Sequence, residues 1–119
     1  MTIQDRPTAA ELVAALREFL EIDVPRATDG RVAFHTRVAA NVAAMLEREL
    51  AHGRHLDTVE SARLTALLGR EGDLRELLVE LAARIRDSSL DDRRAEVVAV
   101  VREQVRAKLA VANPRYLEQ

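Results

Sequence analysis

The run from Asp29 to Val42, DGRVAFHTRVAANV, constrains the fold more than any other part of this chain. Continued to Leu46, it places Phe34, Val38, Val42, Met45 and Leu46 on one helical face and Ala33, Ala39, Ala40, Ala43 and Ala44 behind them. Between Val38 and Leu46 the only polar residue is Asn41. A helix that is apolar all round is buried all round, and an alanine face lets a neighbouring backbone come close. The pattern therefore predicts a second helix from Gly30 or Arg31 to about Ala51, capped by Asp29 and central to the fold. Asn41 is then a buried amide that must be satisfied or cost stability, because an unpaired polar group in a core is unfavourable.

Four further helices follow from caps and stripes. Thr8 with Glu11 forms a capping box before a first helix from about Ala9 to Ile22, with Leu12, Val13, Leu16, Phe19 and Leu20 on one face and Pro25 as its stop. Asp57 with Glu60 repeats the capping pattern before a third helix from about Thr58 to Leu68, ended by Gly69. Asp73 with Glu76 opens a fourth from Leu74 to Arg86, with Leu74, Leu77, Leu78, Leu81 and Ile85 in its stripe. A fifth runs from about Arg93 to Ala112 and stops before Pro114. Its valines, Val97, Val98, Val100, Val101 and Val105, exceed what one core-facing side needs. Short loops suit antiparallel neighbours. The expected fold is all-α, a single domain over residues 1–119, built as a bundle of about five helices around a buried second helix.

Composition removes several function classes. The 119 residues contain no cysteine, so disulfides and thiolate metal sites are excluded. A net charge of −2 offers no broad attraction to nucleic acid or anionic membrane, and three aromatic residues, Phe19, Phe34 and Tyr116, are too few for base stacking. The helix-turn-helix pattern of Thr65 to Arg86 carries an outer face of mixed sign, which argues against DNA. No stretch has the length of a membrane span and the N-terminal residues do not form a signal peptide, so a cytoplasmic protein is expected.

No catalytic constellation is present, and no cofactor is expected. The residues with chemistry to offer lie near the start of the second helix. Arg31 opposes the helix dipole in the first turn, so it calls for a carboxylate partner such as Asp23 or Asp29, or for a bound phosphate or carboxylate. His35 sits at the edge of the apolar stripe, as a carbonyl-bonded or water-facing side chain or as a proton-transfer group. Asn41 is either a structural tether, with Asp29 as the other structural polar residue, or a ligand contact. Arg31, His35 and Asn41 together define the ligand-binding candidate, for an acyl-CoA-like or phosphorylated molecule. His52 and His55 flank Gly53 but lack a third ligand, and no metal site is expected. The tail Asn113-Pro114-Arg115-Tyr116 has the form of a helix stop, with Tyr116 and Leu117 placed to fold back as an apolar lid.

Asp5-Arg6-Pro7-Thr8 with Glu11-Leu12, the Asp29–Val42 stretch and Asn113-Pro114-Arg115-Tyr116 resemble a bacterial family of small helical domains of unknown function. The resemblance covers essentially the whole chain. It implies a non-catalytic accessory to acyl-CoA metabolism, with relatives found near aminoglycoside-phosphotransferase-like kinases and acyl-CoA dehydrogenases, and it carries over no catalytic residues. The expected function is that of an interaction protein, a homodimer or the partner of a kinase-like enzyme or an acyl-CoA dehydrogenase. The alternatives are a small-molecule-binding domain and an enzyme of unknown reaction.

Overall fold

The computed structural model describes residues 6–118, and every regular element among them is helical. Helix α1 (Ala9–Glu18) runs through a π-helical segment, Phe19–Asp23, into the single turn α2 (Val24–Ala27). Then come α3 (Gly30–Leu68), α4 (Leu74–Arg86) and α5 (Arg94–Ala112). A 3₁₀ turn, Asp91–Arg93, precedes α5, and another, Pro114–Glu118, follows it. The all-α expectation holds, with four long helical segments in place of five.

The difference lies at two punctuation residues. Pro25 does not stop the first helix. The wider i→i+5 turns of Phe19–Asp23 lead into a last turn in which Pro25 occupies one of the first two positions, so the chain carries the proline without the helix ending there. The helix ends at Ala27, and Thr28 turns extended at φ −151°. Gly53 does not divide the second and third predicted helices either. It lies buried within the 39-residue α3, beside the carboxylate of Glu49. One glycine costs a helix about 1 kcal/mol, less than the bonds on either side contribute. Asp57 and Glu60 consequently sit inside the helix and cap nothing.

Other ends follow the local chemistry. Thr8 Oγ1 accepts the Glu11 N–H at 3.1 Å and Glu11 Oε1 accepts the Thr8 N–H at 3.4 Å, which completes the capping box. Gly69 closes α3 at φ +75°, its N–H bonded to the Thr65 carbonyl at 2.9 Å. Asp73 precedes α4 as expected, but its side chain makes no capping bond.

Contacts divide the chain into two units, Met1–Gly53 and Arg54–Gln119. The second unit holds a leucine core of Leu64, Leu67, Leu68, Leu77, Leu81 and Leu90, against which Leu74, Val97 and Val100 pack. Leu90, from the loop before α5, is only 2% exposed. Arg93 Nη1 donates to the Leu67 carbonyl at 2.8 Å, tying the start of α5 to the end of α3. Arg70 Nε donates to Glu80 Oε1 at 2.6 Å and so links the α3–α4 loop to α4. Tyr116 and Leu117 are exposed, at 60% and 44%, so the tail is not the expected apolar lid. A 3₁₀ turn begins at Pro114, with the Tyr116 N–H bonded to the Asn113 carbonyl, and leaves these side chains in solvent.

The first unit is a helical hairpin. The short link Thr28-Asp29 reverses the chain, and Arg17 of α1 pairs with Glu47 of α3. Its seam is made of small residues: among the described residues of this unit the only buried hydrophobic side chains are Ala40 and Ala43, beside buried Thr36. Thr36 Oγ1 donates to the Val32 carbonyl at 2.6 Å, which satisfies the hydroxyl inside the seam. The expectation of a second helix buried on all sides is therefore corrected. Its alanine face is buried, and its large apolar face is exposed in the isolated chain.

Candidate functional site

The feature of the first unit with most to offer a partner is that exposed face. On α3, Val32, Phe34, Val38, Val42, Met45, Leu46 and Leu50 are exposed by between 37% at Met45 and 57% at Val32. On the α1 side, Leu12, Leu16, Phe19 and Ile22 are exposed to a similar degree. The cause is geometric. Two helices share one seam, and this hairpin fills that seam with Thr36, Ala40 and Ala43, so the larger side chains are left about half exposed. Single exposed apolar residues are ordinary, whereas a set of this size on one unit is not.

Arg31 and His35 do come together. Arg31 Nε lies 3.4 Å from His35 Nε2, one turn along α3. The His35 ring meets Phe34 edge-on at 5.5 Å between centroids, and the Arg37 guanidinium lies 6.0 Å from the Phe34 ring centre. All four side chains are exposed. The expected ion pair of Arg31 with Asp23 or Asp29 is not formed among the described residues; Arg31 turns to His35 instead. Among the described residues no carboxylate bonds to the His35 ring. Asp29 is exposed, immediately before α3.

Asn41 does not join this group. It is exposed, and among the described residues its side chain makes no hydrogen bond. Its role as a buried tether in this chain is corrected accordingly: in the first unit's part of α3 the buried polar residue is Thr36, one of a row with Ala40, Ala43 and Glu47. That row of small and polar residues at four-, three- and four-residue steps was the readable signal of the seam.

A polar groove of about 440 Å³ lies along the same hairpin, lined by Arg17, Glu21, Ala44, Glu47, Arg48, Ala51 and His52. Arg17 holds it together. It bonds Glu47 across the seam and Glu21 at 2.9 Å along its own helix, and the bond to Glu47 raises the guanidinium pKa above its ordinary value. The groove's opposite charges are thus already engaged with one another. Among the described residues no three His, Asp or Glu side chains gather closely enough to hold a metal ion, and no helix is long and apolar enough to cross a membrane.

A family model described as a domain of unknown function, DUF6285, matches residues 26–116, most of the chain and all of α3, α4 and α5. The chain belongs to the DUF6285 family. The matched DUF6285 segment contains the Asp29–Val42 stretch and the Asn113–Tyr116 tail, while α1 lies outside it. No curated protein and no solved structure matches the chain.

Proposed function

We propose that this chain is a non-catalytic accessory protein that works by association, and that the large apolar face of its first unit is the surface it uses. The exposed set on α3 from Val32 to Leu50, with Leu12, Leu16 and Phe19 on α1, is the observation that carries this reading. These side chains are about half exposed, so together they present on the order of 1,000 Å² of apolar surface, which matches the roughly 800 Å² per partner of a stable interface. The valines of α5 support the same reading more weakly, since Val98 and Val105 alone of them are more than a third exposed. Acyl-CoA metabolism is the setting to try first, with a kinase-like enzyme and an acyl-CoA dehydrogenase as hetero-partners.

The test uses the full chain and the double substitution Val38→Lys, Val42→Lys. Both positions are about half exposed, so the charge enters a surface. The wild-type chain is expected to co-elute with a second copy or with one of the two enzymes on co-expression, and the variant to lose that association. If wild type and variant elute identically as monomers and neither binds either enzyme, the association reading is wrong.

A further inference from the structure

We propose that the face of the first unit is covered by a second copy of this chain, two hairpins forming a four-helix bundle across it. The inference rests on the association reading and names its partner. Three observations lead to it.

The first is the lack of a core. Among its described residues this unit buries no large apolar side chain of its own, only Ala40 and Ala43. A helical segment of this size with so small a core does not hold its fold unaided. Whatever covers it must be present whenever the chain is present, at matching concentration. A second copy meets that condition by construction.

The second is the shape of the face. On α3 the seam runs through Ala40, Ala43 and Glu47. At 3.6 residues per turn, Val32, Leu46 and Leu50 lie roughly a quarter-turn from it, and Val42, Val38 and Phe34 continue to the far side. On α1 the side chains turned toward the seam are Val13, Arg17 and Leu20, all half-buried. Leu12, Leu16 and Phe19 stand between a quarter and a third of a turn from them. Because the link reverses the chain, the two sets fall on the same side of the hairpin, away from Glu21 and Arg48 of the polar groove, with Phe34 and His52 on one line of α3 where the two sides meet. One broad side is apolar and the other polar, the pattern of half a four-helix bundle.

The third is self-complementarity. The apolar side also carries His35, Arg31 and Glu49, and Arg31 and Glu49 stand roughly five turns apart on one line of α3, so a two-fold axis between them sets opposite charges against each other. The area available per copy is that of a stable dimer. Asn41, beside Phe34 and Met45 on the wheel, then enters the margin of the interface. A polar group there fixes register between helices at some loss of stability. The apolar-all-round pattern of Asp29 to Val42 is thus satisfied in the assembly, though not in the single chain.

Light scattering on the purified chain is expected to give twice the 13.3 kDa chain mass, with a melting temperature that rises with protein concentration. The double variant Leu16→Lys, Val38→Lys is expected to lose the dimer peak, whereas Val79→Lys, at a 64%-exposed position of the second unit, keeps it. Should the double variant fail to fold, Ala39→Cys reads the same surface. The chain has no other thiol and the substitution is small. The thiol is expected to be protected from alkylation at high concentration and exposed on dilution, while a thiol at Ala10→Cys reacts freely throughout. A monomeric wild type that binds one of the two enzymes through Val38 and Val42 overturns the second copy and leaves the association reading intact. A monomer that binds neither enzyme overturns both. A dimer broken by Val98→Lys with Val105→Lys, and indifferent to Leu16→Lys with Val38→Lys, puts the interface on α5 and overturns the bundle.

Discussion

Two residues with positive φ respond oppositely to substitution. Gly69 closes α3 at φ +75°, and nothing stands within 4 Å of a Cβ placed there, so the only obstacle to a side chain is the backbone conformation. Gly69→Ala is expected to lower stability by about 1 kcal/mol, read from urea unfolding. Ser88 holds a similar conformation, φ +68°, without glycine's freedom. Ser88→Gly removes that strain and is expected to gain a few tenths of a kcal/mol, the unfolded-state entropy of glycine offsetting part of the relief. The reverse ordering of the two variants would show that neither φ limits stability. Glu60 presents a different residue-scale question. Its carboxylate oxygens are buried without a hydrogen bond, with Arg63 Nη1 at 3.8 Å, and Gln104 Nε2 is also buried without a partner. Arg63 keeps Glu103 at 3.7 Å when Glu60 is removed. Glu60→Met therefore strands no charge and is expected to stabilise by about 1 kcal/mol in the same measurement. A loss of that size would show that the carboxylate is paired in solution.

At the level of elements, the turn between α4 and α5 depends on pH through Asp87. Its carboxylate accepts the Ser89 N–H at 2.9 Å, and that bond, aided by the Ser89 side chain and the charge of Arg84, holds its pKa below the usual carboxylate value. A depressed carboxylate contributes its stabilisation in full above the ordinary Asp range and loses it as pH falls through the depressed value. Asp87→Asn is accordingly expected to speed exchange of the Ser89 amide at neutral pH, with the difference from wild type closing as the solution is acidified below that range. A difference that persists in acid would place the effect elsewhere. Helix boundaries show how far local signals carry. Leu74–Arg86 was legible to the residue because Asp73 stands before a leucine stripe, and the Thr8–Glu11 box was legible because its bonds are local. Gly53 and Pro25 misled because each is a breaker only in isolation: α3 passes through the first, and a π segment adapts the chain to the second. Gly53→Ala tests this directly. The group nearest the new methyl is the free end of the Glu49 side chain, which can swing away, so the substitution is expected to stabilise α3 by roughly 0.5–1 kcal/mol. Destabilisation would mean that Gly53 is required for close approach of another group.

For the whole molecule, the decisive contrast is between a unit with its own core and a unit without one. The apolar pattern of the Asp29–Val42 stretch was plain in the sequence, and so was the need to bury it. Which of its faces packs inside the chain was not plain, because Phe34 and Val38 promise more hydrophobic gain than Ala40 and Ala43, yet only the small residues permit the close seam with α1. Asn41 was misplaced for the same reason: its side of the helix is the one left outward. This contrast has a consequence for hydrogen exchange. The second unit, with Leu64, Leu77 and Leu81 closed to solvent, is expected to protect its amides independently of protein concentration. If a second copy covers the first unit, the protection of α1 and of residues 30–50 falls as the protein is diluted through the dimer dissociation constant and returns when it is concentrated. Peptide-resolved exchange at two concentrations measures both units in one sample. Equal protection of the two units, unchanged by dilution, would mean that the alanine seam alone sustains the hairpin.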